Sequence, residues 1–293
     1  MKEKITLIIT AYKEEKTIGA VIESVIKAIP EGEILVIAPD DGTLKVAKSY
    51  TDKHTGVVVL KDENKGKPAA LNIAIKQCSG DIAMFTDGDV TLSDKSIKAL
   101  AEKLTANTIA TGRPVIVGER DNMLNWWGKT LFDIVNKMRR KSFADKKPFL
   151  ISGYLWGMNY KNFKKIQLDE NLVTEDEYLT YFAIAQKLDF VYVENAEVGI
   201  KYPQTISDWL KQKVRTLGGS YQIKQAMKVK TRSLFQESSD GLKVIFSYPK
   251  NFKQWIWLIL LLFFRILAWI KAYFLIVILK KGKAVWARVE STK

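Results

Sequence analysis

The strongest constraint on this chain is an alternation of short apolar runs with amphipathic stretches that continues from Ile5 to Val117. Ile5–Thr10 is a nearly unbroken apolar run, as expected of a strand buried on both faces. Glu14–Ile29 then sets Ile18, Val21, Ile22, Val25, Ile26 and Ile29 at helical spacing. Glu33–Ala38, Val57–Leu60, Asp81–Phe85 and Thr108–Val117 read as further strands. Thr43–Tyr50, Lys67–Gln77 and a helix capped by Ser93 and running through Leu104 separate them. This order predicts an α/β fold with a mostly parallel sheet and helices on both faces. Ligands of such sheets bind outside the carboxyl ends of the strands. Here those ends are Ala11–Glu14, Pro39–Gly42, Lys61–Gly66 and Thr86–Asp89.

Beyond Val117 the pattern predicts an aromatic-rich helix over 122–140, the Gly-broken apolar run Phe149–Asn159, a helix over Thr174–Leu188, a strand at Phe190–Val193 and a basic helix over Asp208–Lys230. The formal charge of +14 is confined to the last third. From Lys201 onward there are 18 Lys and Arg against 4 Asp and Glu, while the first 200 residues hold 28 of each. One basic face or tail fits this distribution, and a nucleic-acid coat does not. The same third holds Trp255–Leu279, interrupted only by Arg265 and Lys271 and flanked by Lys250, Lys253, Lys280, Lys281 and Lys283. A bilayer span needs about 20 apolar residues. Basic residues on both sides favour a re-entrant hairpin or interfacial helices over a single span, with the globular part in the cytoplasm. The alternative is a buried core helix. The expected organisation is a catalytic domain over 1–235, a connector over 236–254, the membrane segment over 255–279 and a basic cytoplasmic tail over 280–293.

A single cysteine, Cys78, and a single histidine, His54, exclude disulfide scaffolds and His or Cys metal clusters, so carboxylates must carry any acid–base work. No Gly-x-Gly-x-x-Gly follows the first strand. Phosphates of a bound nucleotide would therefore need another counter-charge. Phe85-Thr86-Asp87-Gly88-Asp89 ends a buried strand in two carboxylates that can face a hard divalent cation, although the same composition makes an ordinary turn. Asp40-Asp41-Gly42 is either a turn or a carboxylate reading a base or ribose. Lys65 and Lys67 flank Gly66 in a loop that opens a helix, with Pro68 at its start. Thr174 and Glu177 have the spacing of a capping box, which leaves Asp176 without a structural duty. Gln212 and Arg215, three apart, share a helix face.

Taken in order, ITLIITAYKEEKTI, EILVIAPDDGT, NKGKPAALNIAI, GDIAMFTDGDV, SGYLWGMN, VTEDEYL and QKVRT resemble glycosyltransferase family 2, inverting enzymes with the Rossmann-like GT-A fold, over roughly residues 4–235. The resemblance implies a nucleotide-sugar donor, most often a UDP-sugar, and Mg²⁺ or Mn²⁺. It implies donor contacts from Ala11, Tyr12 and Glu14, a base-reading carboxylate at Asp40 or Asp41, and a nucleotide-side lysine at Lys67. It implies a metal motif at Asp87-Gly88-Asp89 with Asp89 the direct ligand, a general base at Asp176, and diphosphate contacts from Gln212 and Arg215.

Two features depart from the processive branch that the Gln-x-x-Arg motif and the Lys283–Val289 tail resemble. Thr216 stands where that branch has Trp, and one apolar segment is too little to enclose a polymer channel. The expectation is transfer of one sugar, or a few, to a membrane-embedded acceptor such as a polyprenyl-linked saccharide or glycolipid, at an anionic membrane surface. Transfer to a polyprenyl phosphate, short-chain polymer synthesis, nucleotidyl transfer and an inert membrane scaffold are the alternatives. The sequence leaves the sugar and the oligomeric state open.

Overall fold

The computed structural model describes residues 3–118, 121–227 and 244–279. The tail 280–293, with Lys280, Lys281, Lys283 and Lys283–Val289, lies outside the described residues, as do residues 236–243 of the connector and the end of the basic helix toward Lys230.

The elements in chain order are β1 (Ile5–Thr10), α1 (Ile18–Ala28), β2 (Glu33–Ala38), α2 (Asp41–Lys48), β3 (Val57–Lys61), α3 (Lys67–Gln77), β4 (Ile82–Asp87), β5 (Thr91–Leu92), α4 (Asp94–Ala101), β6 (Thr108–Ile116) and α5 (Met123–Ala144). Then come β7 (Leu155–Asn159), α6 (Tyr160–Phe163), α7 (Glu175–Ala185), β8 (Asp189–Ile200), α8 (Ile206–Met227) and α9 (Phe252–Tyr273), which runs on as a π-helical turn, Phe274–Ile278. One sheet holds the eight strands in the order β3-β2-β1-β4-β7-β6-β8-β5. Only β7 and β5 run against the other six. β7 slots antiparallel between β4 and β6, so the predicted mostly parallel sheet holds with one reversal at its centre.

Strand residues alternate between two cores, as a pleated sheet requires. Leu7, Ile9, Ile34, Val36 and Met84 pack with Ile18, Val21, Ile22, Val25 and Ile97 on one face. Ile8, Leu35, Ile37, Ala83 and Phe85 pack with Ala70, Leu71, Leu179 and Phe182 on the other. Phe85 stacks on Trp156 of β7 at 3.9 Å between ring centroids, which joins the parallel half of the sheet to the reversed strand.

Several boundaries differ from the sequence reading, these three among them. The helix expected from Glu14 starts at Ile18, because Glu14–Thr17 close a turn with Thr17 N and Ile18 N both donating to Glu14 O. The fourth strand runs to Asp87 rather than Phe85, because Thr10 of β1 pairs with Asp87. The last strand extends from Asp189 to Ile200, since eight of its residues pair with β6 across a bulge.

A third apolar cluster joins α5, α8 and α9 through Trp127, Trp209, Leu258 and Leu261. Trp127 Nε1 donates to Trp257 O at 2.7 Å. Farther along, Val214 of α8 packs on Ala268 and Ala272, and Tyr221 meets Trp269 edge-on. The apolar segment is therefore one continuous helix laid along α8, with no reversal between Phe252 and Ile278. Its far side is a stripe of Phe252, Ile256, Ile259, Phe263, Ile266, Ile270 and Phe274, all exposed. Removing the stacked ring by Trp156→Ala is expected to destabilise the fold by about 3–5 kcal/mol, the usual range for a buried Trp truncation. Chemical denaturation of the two proteins measures it.

Candidate functional site

Registry places the site. Thr10 pairs with Ile37 on one side and Asp87 on the other, so β1, β2 and β4 end level. The β4 turn then lies against β1. Gly88 N donates to Thr10 O, and a Cβ at Gly88 would sit 2.7 Å from the Ala11 Cβ. Thr17 Oγ1 donates to Gly88 O at 2.8 Å and to Glu14 Oε2 at 3.0 Å, which ties the first loop to the acidic turn. Gly88 is thus required for close approach, with Asp87 and Asp89 half-buried on either side of it.

Lys67 reaches this turn from the start of α3. Gly66 before it has φ +99°, a backbone conformation that glycine alone adopts readily. Lys67 Nζ lies 2.7 Å from Asp87 Oδ1 and 2.8 Å from Glu175 Oε1. Asn72 holds α3 to the segment before α7, donating to Leu168 O and accepting from Leu168 N. Burial alone would lower the Lys67 pKa, but the Asp87 and Glu175 carboxylates outweigh it and hold the ammonium well above its usual range. Burial would raise Glu175, but the Lys67 charge and hydrogen bond, with a backbone hydrogen bond and the Arg215 charge, together outweigh it and hold the carboxyl below its ordinary value. Asp87 is pushed up by burial, which together with the Asp89 and Glu175 charges exceeds the help from Lys67.

Asp176 follows on the same turn. Burial, then the neighbouring Glu175 charge, push its carboxyl up to about 6. Gly153 lies beside it: a Cβ there would stand 3.5 Å from Asp176 Oδ2. The Gly153 loop is held by Arg139 of α5, whose Nε and Nη2 donate to Leu150 O and Ile151 O. Tyr154 is half-buried beside the acidic turn. Burial raises its hydroxyl pKa, the Asp87 and Asp89 charges add to that, and Arg215 and Lys67 act against it. Arg215, exposed on α8, also acts electrostatically on Glu175. Gln212 lies one turn earlier on α8.

The first-loop residues have mainly structural contacts. Asp40 caps α2, its Oδ1 accepting from Thr43 N and its Oδ2 from Lys13 N. Burial opposes these bonds, but together they lower its pKa. Asp41 points outward to Lys61 at 2.8 Å. Glu14 is buried, its N–H donating to Thr43 Oγ1. Ala11 is half-buried, and Tyr12 is exposed beside Lys13.

One expectation is corrected: Thr174 and Glu177 form no capping box. The Thr174 side chain makes no cap bond and its Oγ1 is buried without a partner among the described residues. Tight packing on α8 explains it, since a Cβ at Gly219 would fall 2.2 Å from Thr174 Oγ1. Glu177 instead accepts from Ser220 Oγ of α8 at 2.5 Å. Sequence reasoning passed over Glu175, Tyr154 and Arg139. Glu175 carries a signal, an acid adjoining Asp176, but an acid in the first turn of a helix is also an ordinary structural feature. Tyr154 and Arg139 had none beyond their residue types.

No three His, Cys, Asp or Glu side chains converge among the described residues. Two carboxylates on one turn, one of them already drawing the Lys67 ammonium, do fit a hard cation of the kind that binds through one or two carboxylates plus substrate phosphates.

The sequence profile described as glycosyltransferase like family 2 matches residues 3–219. The poly-beta-1,6-N-acetyl-D-glucosamine synthase of Staphylococcus epidermidis is 25% identical over 233 residues, covering 75% of this chain and 55% of the synthase. Glycosyltransferase GlyA of Streptococcus pneumoniae is 25% identical over 197 residues, covering 60% of this chain and 27% of GlyA. The chain thus spans about half, or less, of the length of these relatives. Among solved structures, the mannosyltransferase PcManGT of Pyrobaculum calidifontis, in complex with GDP-Man and Mn²⁺, superposes with a TM-score of 0.61 at 14% identity, covering 96% of this chain and 87% of its own. Residues 1–349 of Staphylococcus aureus TarS with UDP-GlcNAc give 0.53 at 16% identity, covering 92% and 79%. These likenesses show the GT-A fold.

The raised Asp176 carboxyl has a consequence for stability. Its folded pKa of about 6 exceeds the unfolded value of 3.8, so its contribution is fully present below pH 3.8 and lost as pH rises through 6. Asp176→Asn is expected to be more stable than the parent at pH 8, with the gain shrinking toward pH 4. Urea midpoints at the two pH values measure this.

Proposed function

The chain belongs to the glycosyltransferase like family 2, and on that premise we propose that it moves a sugar, with inversion, from a UDP-sugar to a hydroxyl of a membrane-embedded saccharide or glycolipid acceptor. The observation that carries this reading is the placement of Asp176, with its raised carboxyl, one residue from the Glu175–Lys67–Asp87 cluster. A base and a polar, charge-compensated diphosphate seat stand side by side.

In this reading Asp176 is ionised at neutral pH and takes the proton of the acceptor hydroxyl. The freed oxygen attacks the anomeric carbon from the side opposite the diphosphate. The bond from that carbon to the phosphate oxygen breaks, and the electron pair leaves with the nucleoside diphosphate. Lys67, Arg215 and Gln212 face the growing charge, where electrostatic stabilisation acts most strongly. Asp87 and Asp89 would hold Mg²⁺ or Mn²⁺, which supplies Lewis-acid stabilisation of the leaving diphosphate when bound. Ala11, Tyr12, Glu14 and Asp40 lie at the ends of β1 and β2, on the nucleoside side. The outward position and Lys61 pairing of Asp41 favour Asp40 as the base-reading carboxylate.

Attachment to the membrane is read from α9. Its inner face is committed to α8 and α5 along its length, and α8 carries Lys211, Lys213 and Arg215, which cannot enter hydrocarbon at low cost. The helix therefore lies in the membrane plane with the Phe252–Phe274 stripe in the acyl boundary, the geometry of interfacial helices. Lys250 and Lys253 before it meet anionic headgroups, each worth about 1 kcal/mol near the surface. The catalytic domain then works at the cytoplasmic face, within reach of a lipid-borne acceptor.

Two outcomes are expected. Asp176→Asn loses transfer by about 10²–10⁴-fold, the worth of a general base, with nucleotide binding unchanged. In the parent protein, turnover falls below a pH near 6 as the base protonates. Release of nucleoside diphosphate from a panel of nucleotide sugars, with and without membrane lipids, measures both, and normal turnover by Asp176→Asn rejects the assignment. For α9, Cys78 is buried and replaceable by Ser, so single cysteines at Ile259, Phe263, Ile266 and Ile270 can carry nitroxide labels. In anionic vesicles all four are expected at one shallow depth. A spanning helix would instead spread them over roughly 16 Å at about 1.5 Å per residue.

A further inference from the structure

The charge arrangement at the carboxyl end of β4 carries more than a list of donor contacts. Lys67 Nζ is shared between two carboxylates at hydrogen-bond distance, 2.7 Å to Asp87 and 2.8 Å to Glu175. One partner stands at the end of a sheet strand and the other at the first turn of α7, so the ammonium bridges the two walls of the site. Asp87 is also one of the two carboxylates facing the position read as the cation seat. Its Oδ1 cannot serve a divalent ion and a lysine ammonium at such short range without strong repulsion between the two cations. Glu175 holds the same ammonium from α7, so Lys67 has a partner left if it releases Asp87.

We propose that Lys67 is the resident counter-ion of the ligand-free site and exchanges Asp87 for diphosphate oxygens when the donor enters, so that divalent metal and nucleotide each open the site to the other. Glu175 is the positioning residue of this exchange, keeping the ammonium within reach of the phosphates after it leaves Asp87. The inference rests on the reading of this cluster as a nucleotide-diphosphate seat. It adds a direction of coupling: metal alone competes with Lys67, while metal with nucleotide does not. Coupling between two ligands is reciprocal, so the factor by which nucleotide tightens metal equals the factor by which metal tightens nucleotide.

Calorimetric titration tests this without turnover. Mn²⁺ is titrated into the full chain alone and with saturating UDP or GDP, and each nucleotide is titrated with and without Mn²⁺. In the parent, Mn²⁺ affinity is expected to rise by about tenfold or more when nucleotide is present, within the usual span of two-site coupling. Lys67→Met is expected to tighten Mn²⁺ binding to the nucleotide-free protein by about the same factor and to shrink the coupling toward unity. Arg215→Met removes a charge that makes no ion pair to Asp87, and it is expected to change Mn²⁺ affinity much less. Glu175→Gln leaves Lys67 undivided on Asp87 and is expected to weaken Mn²⁺ binding, which keeps a test available if Lys67→Met does not fold. Unchanged or weaker Mn²⁺ binding in a folded Lys67→Met, or tightening in Glu175→Gln, overturns the exchange while nucleotide binding leaves the donor-site reading standing. Failure of both nucleotides to bind the parent, with or without Mn²⁺, overturns the donor-site reading itself and the exchange with it.

Discussion

The pairing of Thr10 with Asp87, and the contact of Gly88 with Ala11 that it brings about, is the constraint on which the site depends. It draws β4 two residues beyond the end of its apolar run and sets a carboxylate into the last rung of a buried parallel ladder. A carboxylate there is costly unless it is compensated. The chain compensates it with Lys67, delivered by a turn that Gly66 permits and by a helix that Asn72 anchors. Because Lys67 also engages Glu175, the same ammonium ties the first turn of α7, which carries Asp176, to the acidic turn. Sheet registry, one glycine contact and one shared cation thus place the acidic turn, the lysine and the proposed base relative to one another.

The electrostatics follow from that sharing. Two adjacent acids on α7 are driven in opposite directions: Glu175 is held down by Lys67, and Asp176 is pushed up by burial and by Glu175. Paired titratable groups pushed apart in this way are a common mark of functional sites, because one group can stay charged while its neighbour exchanges a proton. Arg139 has a quieter part, holding the loop that carries Gly153 beside Asp176 through two backbone carbonyls.

The far side of the molecule is built as one unit. α5, α8 and α9 share aromatic and aliphatic contacts from Trp127 to Ala272, so the helix that carries Gln212 and Arg215 is backed directly by the most apolar helix of the chain. Under the proposed in-plane attachment, the surface that meets lipid and the residues that meet the diphosphate sit on two helices in contact. That arrangement would position the cleft against the bilayer.

The alternating apolar pattern determined the α/β class by itself, because a parallel sheet covered on both faces admits few other sequences. The acidic turn at Asp87-Gly88-Asp89, Lys67 and Asp176 were likewise legible, since each stands where a periodic element stops. The sequence could not show the reversal of β7, because strand direction is decided by partners distant along the chain. It misjudged Thr174 and Glu177, whose local spacing fits a capping box while the packing of Gly219 turns them toward α8. It allowed a hairpin, a span or a core helix at Trp255–Leu279, since composition does not say which face has a neighbour. Only the tertiary structure decided that one face is covered by α8 and the other is bare, and that Lys67 and Glu175, 108 positions apart, share one charge. Both are long-range contacts, and local pattern holds no record of them.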